Sequence, residues 1–91
     1  MSLITVIVTN YNHSQYIQQA VRAIENQTHK DIEIVIVDDC STDDSEVHLK
    51  DFEGRGHKVI RLPANKGKWN ALNVACEAAR GSLITLQDAD D

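Results

Sequence analysis

The chain has 91 residues, enough for one small domain that buries a little over ~60% of its unfolded surface. Its formal net charge of -5 and scattered lysines and arginines argue against nucleic acid or an anionic membrane as the main partner. No apolar run approaches the roughly 20 residues that span a bilayer. We therefore expect a cytoplasmic protein, and no membrane contact by these 91 residues. Any attachment to the cytoplasmic face of a membrane is expected to come from sequence outside them.

Strands and helices are predicted to alternate from the start of the chain. Residues 3–8 are rich in β-branched side chains and apolar on both faces, which is typical of a central parallel strand. Ser14 is expected to cap the next helix, which runs to about Gln27 with apolar residues at positions i, i+3, i+4 and i+7. A second apolar strand follows at 32–37.

The second half repeats this alternation with weaker signals. A short helix is predicted at about 43–52, with Asp43 and Glu46 at capping-box spacing. A half-exposed strand at 58–62 ends at a proline, and a helix at about 68–80 leads to the last strand at 83–87. The apolar face of that helix is expected to contain Trp69, Leu72, Ala75, Cys76 and Ala79.

This order of elements predicts an α/β fold with a doubly wound parallel sheet in a single domain. We expect the strand order 3-2-1-4. In such sheets the ligand crevice lies beyond the carboxyl ends of the strands. Asp38, Asp39, Asp88 and Asp90 are therefore expected at one edge of the sheet.

Two acidic clusters directly follow predicted strands. Asp88, Asp90 and Asp91 repel one another, and the commonest interpretation of such a cluster alone is a solvated loop. The pair Asp38-Asp39 follows the second strand in the same way, which favours one shared pocket. Aspartates in a pocket can hold Mg²⁺ or Mn²⁺ together with substrate phosphates.

The sequence has neither of the common glycine-rich phosphate loops, Gly-x-Gly-x-x-Gly or Gly-x-x-x-x-Gly-Lys-Ser/Thr. An acidic chain that binds a diphosphate without such a loop depends more strongly on a cation. Lys66 and Lys68, beside Gly67 where a helix begins, could add positive charge near the same phosphates.

Several short segments, in order along the chain, carry a resemblance to a known family. They are Thr9-Asn10-Tyr11-Asn12, Asn26-Gln27-Thr28, residues 34–43 around Asp38-Asp39, Asn65-Lys66-Gly67 with Ala71 and Asn73, Ala78-Ala79-Arg80-Gly81, and Asp88-Ala89-Asp90-Asp91. With them the chain resembles the N-terminal, nucleotide-binding half of a glycosyltransferase family 2 enzyme of the GT-A type. The resemblance implies metal-assisted transfer of a sugar, with inversion, from a nucleotide-diphosphate sugar to an acceptor hydroxyl. A UDP-sugar is the expected donor, a sugar or polysaccharide of the cell surface the expected acceptor, and Mg²⁺ or Mn²⁺ the cofactor.

The resemblance also implies which residues form the site. The nucleotide-binding residues would be Thr9, Tyr11, Asp38, Asp39, Lys68 and Asp88. Of these, Thr9, Tyr11 and Asp39 would contact the base, and Asp88 would face the ribose. Asp90, with Asp88, would hold the metal on the diphosphate. Structural alternatives remain: a turn at Thr9, core packing of Tyr11 and a helix cap at Asp38.

The sequence departs from the family pattern at two places. Cys40 stands where most members have glycine, and Leu72 stands where many have arginine. The segment from Gly67 to Asn73 is similar to the processive branch of the family, in which a lysine at the position of Lys68 touches the diphosphate. Trp69 in this segment is expected in the core.

The chain is expected to be only the donor-binding part of an enzyme, residues 1–91, cut at the Asp-x-Asp motif. The family's general base is a carboxylate after that motif, so we expect it beyond Asp91, and we expect these residues alone to be inactive. One alternative is a non-catalytic nucleotide-binding or scaffold module. The other is a receiver-type phosphoacceptor domain, which would need an aspartate after the third strand, where Leu62 and Pro63 stand.

Overall fold

The computed structural model describes residues 4–26, 31–80 and 83–88, the last range and Lys68 at the level of the backbone. Strands and helices alternate along this part of the chain. The elements are β1 (Ile4–Asn10), α1 (Ser14–Glu25), β2 (Ile32–Asp38), α2 (Ser45–Gly54), β3 (Lys58–Arg61), α3 (Lys68–Ala78) and β4 (Leu83–Asp88).

The strands form one sheet in the order β3-β2-β1-β4. β1 pairs in parallel with both β2 and β4, and β2 pairs in parallel with β3. The predicted parallel α/β architecture is confirmed. Because every described strand runs in the same direction, all of their carboxyl ends lie at one edge of the sheet, where the loops that follow β1 and β2 are neighbours.

Both faces of the sheet are covered, as the apolar character of β1 and β2 predicts. On one face alternate strand residues pack against α1 and α2, in a cluster of Val6, Val8, Ile17, Val21, Ile24, Ile34, Ile36, Leu49 and Phe52. On the other face a smaller cluster packs under α3 and consists of Ile7, Val35, Val37, Ala71, Leu72 and Ala75. Each fully buried valine or isoleucine contributes about 1.5–3 kcal/mol relative to an exposed one.

The starts of the first two helices differ from the sequence-based expectation. Ser14 is the first residue of α1, and His13 occupies the cap position without a side-chain cap. α2 begins at Ser45, and the predicted capping box between Asp43 and Glu46 does not form. Asp43 instead accepts hydrogen bonds from the amide and the hydroxyl of Ser45. Glu46 accepts a hydrogen bond from Arg61 on β3 and forms an ion pair with it. Asp43 thus keeps a local contact at the start of α2, whereas Glu46 pairs with another element of the fold.

The buried face of α3 was predicted only in part. Leu72 and Ala75 are buried together with Ala71, whereas Trp69 is 80% exposed and Cys76 is exposed. Each helical residue turns by about 100°, so the stripe shared by Ala71, Leu72 and Ala75 excludes Trp69 and Cys76. The predicted core positions of Trp69 and Cys76 are therefore wrong.

Candidate functional site

The register of the sheet brings the candidate site residues to the ends of three adjacent strands. Thr9 on β1 lies opposite Val37 on β2 and opposite Asp88 on β4, and the next residue, Asn10, lies opposite Asp38. Thr9 is thus within a strand and not in a turn. The backbone of Asp88 lies at this edge as predicted, whereas Asp90 lies outside the described residues.

Asp38 is buried and nearly saturated with hydrogen bonds. It is 5% exposed. Its Oδ1 accepts Nδ2 of Asn10 at 2.8 Å and the hydroxyl of Ser41 at 2.6 Å, and its Oδ2 accepts the Ser41 amide at 2.9 Å. A carboxylate offers roughly four acceptor directions, so about one remains. Asp38 closes the turn after β2, and it does not reach the amino end of α2.

Asp39 is equally buried but keeps more of its acceptor capacity. One carboxylate oxygen accepts the amide of Lys66 at 3.2 Å, and the other accepts the amide of Gly67 at 3.0 Å. The backbone amide of Asp39 donates to the carbonyl of Asn10 at 2.9 Å. Asp39 therefore links the end of β1, the end of β2 and the start of α3, with about one lone pair left on each oxygen.

The glycine at the start of α3 permits this link. Gly67 has φ 92°, a left-handed conformation that glycine adopts without steric cost. The loop can thereby present consecutive amides to the Asp39 carboxylate. Lys68, the first residue of α3, follows directly, and its side chain lies outside the description.

Two aromatic side chains near this edge are exposed. Tyr11, directly after β1, is 43% exposed, and Trp69 lies on the first turn of α3. Neither belongs to the described core clusters. The alternative of Tyr11 as a core residue is thus not what the structure shows.

Sequence reasoning missed Asn10, which lies at the centre of the polar network beneath this edge. It is 1% exposed, and Nδ2 donates to Asp38 at 2.8 Å, to the Ser45 hydroxyl at 3.0 Å and to the Ser41 hydroxyl at 3.2 Å. Within the described residues its Oδ1 has no hydrogen-bond partner. The available signal was an asparagine, a residue that is rare in strands, at the end of a run rich in β-branched residues.

Asp43 joins the same network from the exposed side. Its carboxylate accepts the hydroxyl and the amide of Ser45 and the amide of Ser14 at 3.0 Å. Burial raises the pKa of Asp43, but the hydrogen bonds from Ser45 and Ser14 outweigh it and lower that pKa below its usual value. The ionised form is therefore the one that fits this loop.

The carboxylates that the structure describes at this edge do not form a metal centre. No group of at least three His, Cys, Asp or Glu residues in the described part is arranged to hold an ion. Asp38 and Asp39 are directed at donors within the loops. The predicted metal ligands are Asp88, described only in its backbone, and Asp90, beyond the described residues.

A cavity of about 530 Å³ lies at the opposite, amino end of the sheet. It is lined by Ile32, Glu33, Ile34, Gly56, His57, Lys58 and Arg80. Glu33 there accepts the hydroxyl of Thr5 and the amide of Arg80, and Lys58 donates to the carbonyl of Ala78. None of the predicted site residues lines this cavity.

Residues 5–91 match the sequence model of the family described as "Glycosyl transferase family 2". The chain belongs to glycosyl transferase family 2. This confirms the resemblance drawn from the short segments and leaves the phosphoacceptor alternative without support. Within the described residues no helix is long and apolar enough to cross a membrane.

Curated relatives of the family are longer than this chain. It is 41% identical over 90 residues to an uncharacterized glycosyltransferase of Nostoc sp., covering 97% of this chain and 28% of the relative. It is 37% identical over 91 residues to the putative teichuronic acid biosynthesis glycosyltransferase TuaG of Bacillus subtilis, covering 98% of this chain and 36% of TuaG. The chain thus spans about a third of the length of these relatives.

Solved structures of glycosyltransferases share the fold. A mannosyltransferase from Pyrobaculum calidifontis, in complex with GDP-Man and Mn²⁺, superposes with a TM-score of 0.90 at 28% identity, covering 98% of this chain and 28% of that one. Residues 1–349 of TarS from S. aureus, in complex with UDP-GlcNAc, give a TM-score of 0.89 at 32% identity, covering 97% and 26%. The described sheet and helices are therefore those of the GT-A fold.

Proposed function

We propose that this chain is the donor-binding part of a glycosyltransferase that transfers a sugar from a nucleotide-diphosphate sugar to an acceptor hydroxyl. The carrying observation is the register of the sheet, which places Thr9 between the ends of β2 and β4. Tyr11, Asp39 and Asp88 follow or end these strands. Crevices at the carboxyl ends of parallel strands are where such sheets bind ligands.

Asp39 and Tyr11 are the proposed contacts of the nucleotide base. The Asp39 carboxylate is fixed by two backbone amides and still has lone pairs that can accept an N–H of a base. The exposed ring of Tyr11 offers a flat apolar surface for the base. Thr9, Asp38, Lys68 and Asp88 complete the proposed nucleotide-binding set. Asp38 would act chiefly by holding the turn in which Asp39 lies.

A UDP-sugar is the proposed donor. TarS, which shares 32% identity with the chain, has been solved with UDP-GlcNAc and with UDP. The mannosyltransferase solved with GDP-Man shares 28%. The identity difference is small, so the test of the donor includes both nucleotides.

The proposed metal site consists of Asp88, the last residue of β4, and Asp90, two positions further along the chain, with Mg²⁺ or Mn²⁺ as the ion. Carboxylate oxygens are the ligands that these cations prefer, and the carboxylates of Asp38 and Asp39 already accept hydrogen bonds from the loops. The cation would neutralise the charge of the diphosphate. The mannosyltransferase complex with Mn²⁺ supports this part of the proposal, and Lys68 at the start of α3 is proposed to lie near the same phosphates.

The remainder of the catalytic machinery is proposed to belong to the rest of the enzyme. The matched relatives are about three times as long as the chain, so they have room for an acceptor site and a catalytic base. An inverting transfer would need such a base within hydrogen-bond reach of the acceptor hydroxyl. A cytoplasmic location and a sugar or polysaccharide acceptor complete the proposal. The acceptor class is supported by the similarity to TuaG, which is named for teichuronic acid biosynthesis.

The proposal is tested on the full-length protein with UDP- and GDP-sugars and Mn²⁺. Binding of the nucleotides is measured by calorimetry, and turnover is measured as release of the nucleotide and of the sugar. We expect turnover of at least one donor, and its loss in Asp90→Ala. Glu77→Ala, an exposed carboxylate on α3, is the matched control and should keep full activity. Nucleotide binding without turnover would favour the non-catalytic module, and neither binding nor turnover would contradict the proposed function.

A further inference from the structure

Two loops at the carboxyl edge are held together by a set of polar contacts centred on Asn12. Oδ1 of Asn12, in the β1–α1 loop, accepts the amide of Thr42 at 2.7 Å and the amide of Asp43 at 3.2 Å. The amide of Asn12 donates to the hydroxyl of Ser41 at 2.9 Å. We call Asn12 and its partners Ser41, Thr42 and Asp43 in the β2–α2 loop the loop clasp.

The backbone of Asn12 explains why the clasp takes this form. Its φ is 56°, in the left-handed region that asparagine, aspartate and glycine enter at the lowest cost. This conformation lets the amide and the side chain of one residue contact the same loop. A further hydrogen bond links the start of α1 to the β2–α2 loop: the amide of Ser14 donates to the carboxylate of Asp43 at 3.0 Å.

The clasp joins the two proposed base contacts. Tyr11 directly precedes Asn12, and Ser41 binds the carboxylate of Asp38, whose neighbour is Asp39. The loops that carry Tyr11 and Asp39 therefore cannot shift relative to each other without breaking hydrogen bonds of Asn12 or Ser41. The residues of the clasp are exposed or half-buried, so its bonds contribute less to global stability than bonds in the core do.

We propose that Asn12 is a positioning residue for nucleotide binding, which fixes the distance between Tyr11 and the Asp39 carboxylate. This inference rests on the proposed function, since it assumes that a nucleotide binds between these two residues. This role does not require a contact between Asn12 and the nucleotide. It lowers the cost of ordering the two loops when the nucleotide binds, as preorganised sites do.

The test compares variants that separate backbone conformation from hydrogen bonding. Asn12→Gly keeps the left-handed backbone but removes the acceptor, and Asn12→Asp keeps both. Affinity for UDP with Mn²⁺ is measured by calorimetry on the full-length protein, and GDP is titrated into the wild-type protein in the same way. We expect a loss of about ten-fold in Asn12→Gly, as for other supporting residues of binding sites, and a loss of less than about three-fold in Asn12→Asp, which retains the acceptor.

Two further variants keep the result interpretable. Gln19→Gly, on the exposed face of α1, introduces the same residue in a helix away from the clasp, and it should lower the melting temperature without changing the affinity. Ser41→Ala removes the acceptor of the Asn12 amide and should weaken UDP binding in the same direction as Asn12→Gly. It serves as the test if Asn12→Gly does not fold.

The possible outcomes distinguish the two proposals. If the wild-type protein binds UDP and Asn12→Gly binds it equally well, the role of Asn12 is refuted and the proposed function stands. If Gln19→Gly loses as much affinity as Asn12→Gly, the effect is general destabilisation and the positioning role is again refuted. If the wild-type protein binds neither UDP nor GDP, the proposed function fails and the role of Asn12 fails with it.

Discussion

The carboxylate of Asp39, one residue after β2, accepts the amide of Gly67 at the start of α3 at 3.0 Å. The same carboxylate accepts the neighbouring amide of Lys66 at 3.2 Å. A residue proposed to bind the base therefore also fixes the conformation of the loop that precedes α3. Lys68 is the first residue of that helix. The stability of this loop and the proposed nucleotide binding would therefore depend on the same side chain.

Replacing Asp39 by asparagine should reduce both properties. One acceptor oxygen becomes an NH₂ group that faces a backbone amide, and a buried donor is left without a partner. We expect a loss of about 1–3 kcal/mol in the free energy of unfolding, measured by urea denaturation, together with weaker UDP binding. Asp51→Asn, an exposed carboxylate on α2, is the control. Unchanged stability would mean that the Asp39 contacts contribute nothing.

The buried network beneath the edge should be more sensitive still. Asn10→Asp removes the Nδ2 donor from three acceptors and places a second carboxylate against Asp38. Because Asn10 is 1% exposed, an uncompensated charge there should destabilise the fold by about 3–5 kcal/mol. Gln19→Glu adds the same charge on the exposed face of α1 and should change stability by less than about 0.5 kcal/mol. A well-folded, equally stable Asn10→Asp protein would contradict the described network.

Much of the fold could be predicted from the sequence because β1 and β2 are apolar on both faces. Only a sheet covered on each side buries such strands, and the alternation with helices then makes it parallel. The positions of Trp69 and Cys76 could not be predicted in this way. The stripe of α3 that packs on the sheet is set by the small side chains of Ala71 and Ala75, which allow close approach and are weak signals in a sequence.

The sequence predicted which edge of the sheet contains the candidate site, but it did not predict the hydrogen bonds within that site. The acidic pair after β2 is visible in the sequence, and the register explains why it lies beside Thr9. The bonds of Asn10 and Asn12 join residues about thirty positions apart, so no local pattern reveals them. Asp43 was predicted as a helix cap because its spacing to Glu46 is correct, yet Arg61 on β3 binds Glu46 more favourably.

Cys40 offers a test of backbone strain. It has φ 63° where most members of the family have glycine, and its thiol makes only a weak contact of 3.6 Å with the carbonyl of Pro63. Cys40→Gly should therefore raise the free energy of unfolding by about 0.5–1 kcal/mol. Cys76→Gly, in the exposed part of α3, should lower it by about 1 kcal/mol. Destabilisation by Cys40→Gly would show that the left-handed backbone carries no strain.

Stability should fall in acid partly through Glu33. Burial raises the pKa of this carboxyl, but hydrogen bonds from the Arg80 amide and the Thr5 hydroxyl, together with Lys58 and Arg80, lower it below the usual 4.5. Because the pKa of Glu33 is lower in the folded than in the unfolded protein, ionised Glu33 stabilises the fold. This stabilisation is complete at a pH above the pKa of the unfolded state and is lost as the pH falls below that pKa. In urea denaturation at pH 7 and pH 3.5, Glu33→Gln should lose less stability on acidification than wild type does. An equal loss of stability in both proteins would show that Glu33 does not contribute to the pH dependence. Glu77→Gln, which removes an exposed carboxylate on α3, is the control for the change in charge.

The proposed donor site depends most directly on a divalent cation that joins a diphosphate to the carboxylates of Asp88 and Asp90. Calorimetric titration of the full-length protein with UDP, once with Mn²⁺ and once with EDTA, measures this dependence. Since the carboxylates repel an unescorted diphosphate, we expect binding with Mn²⁺ that weakens by at least about ten-fold in EDTA, and no such difference in Asp90→Ala. Equal binding of UDP by the wild-type protein with Mn²⁺ and with EDTA would contradict the account.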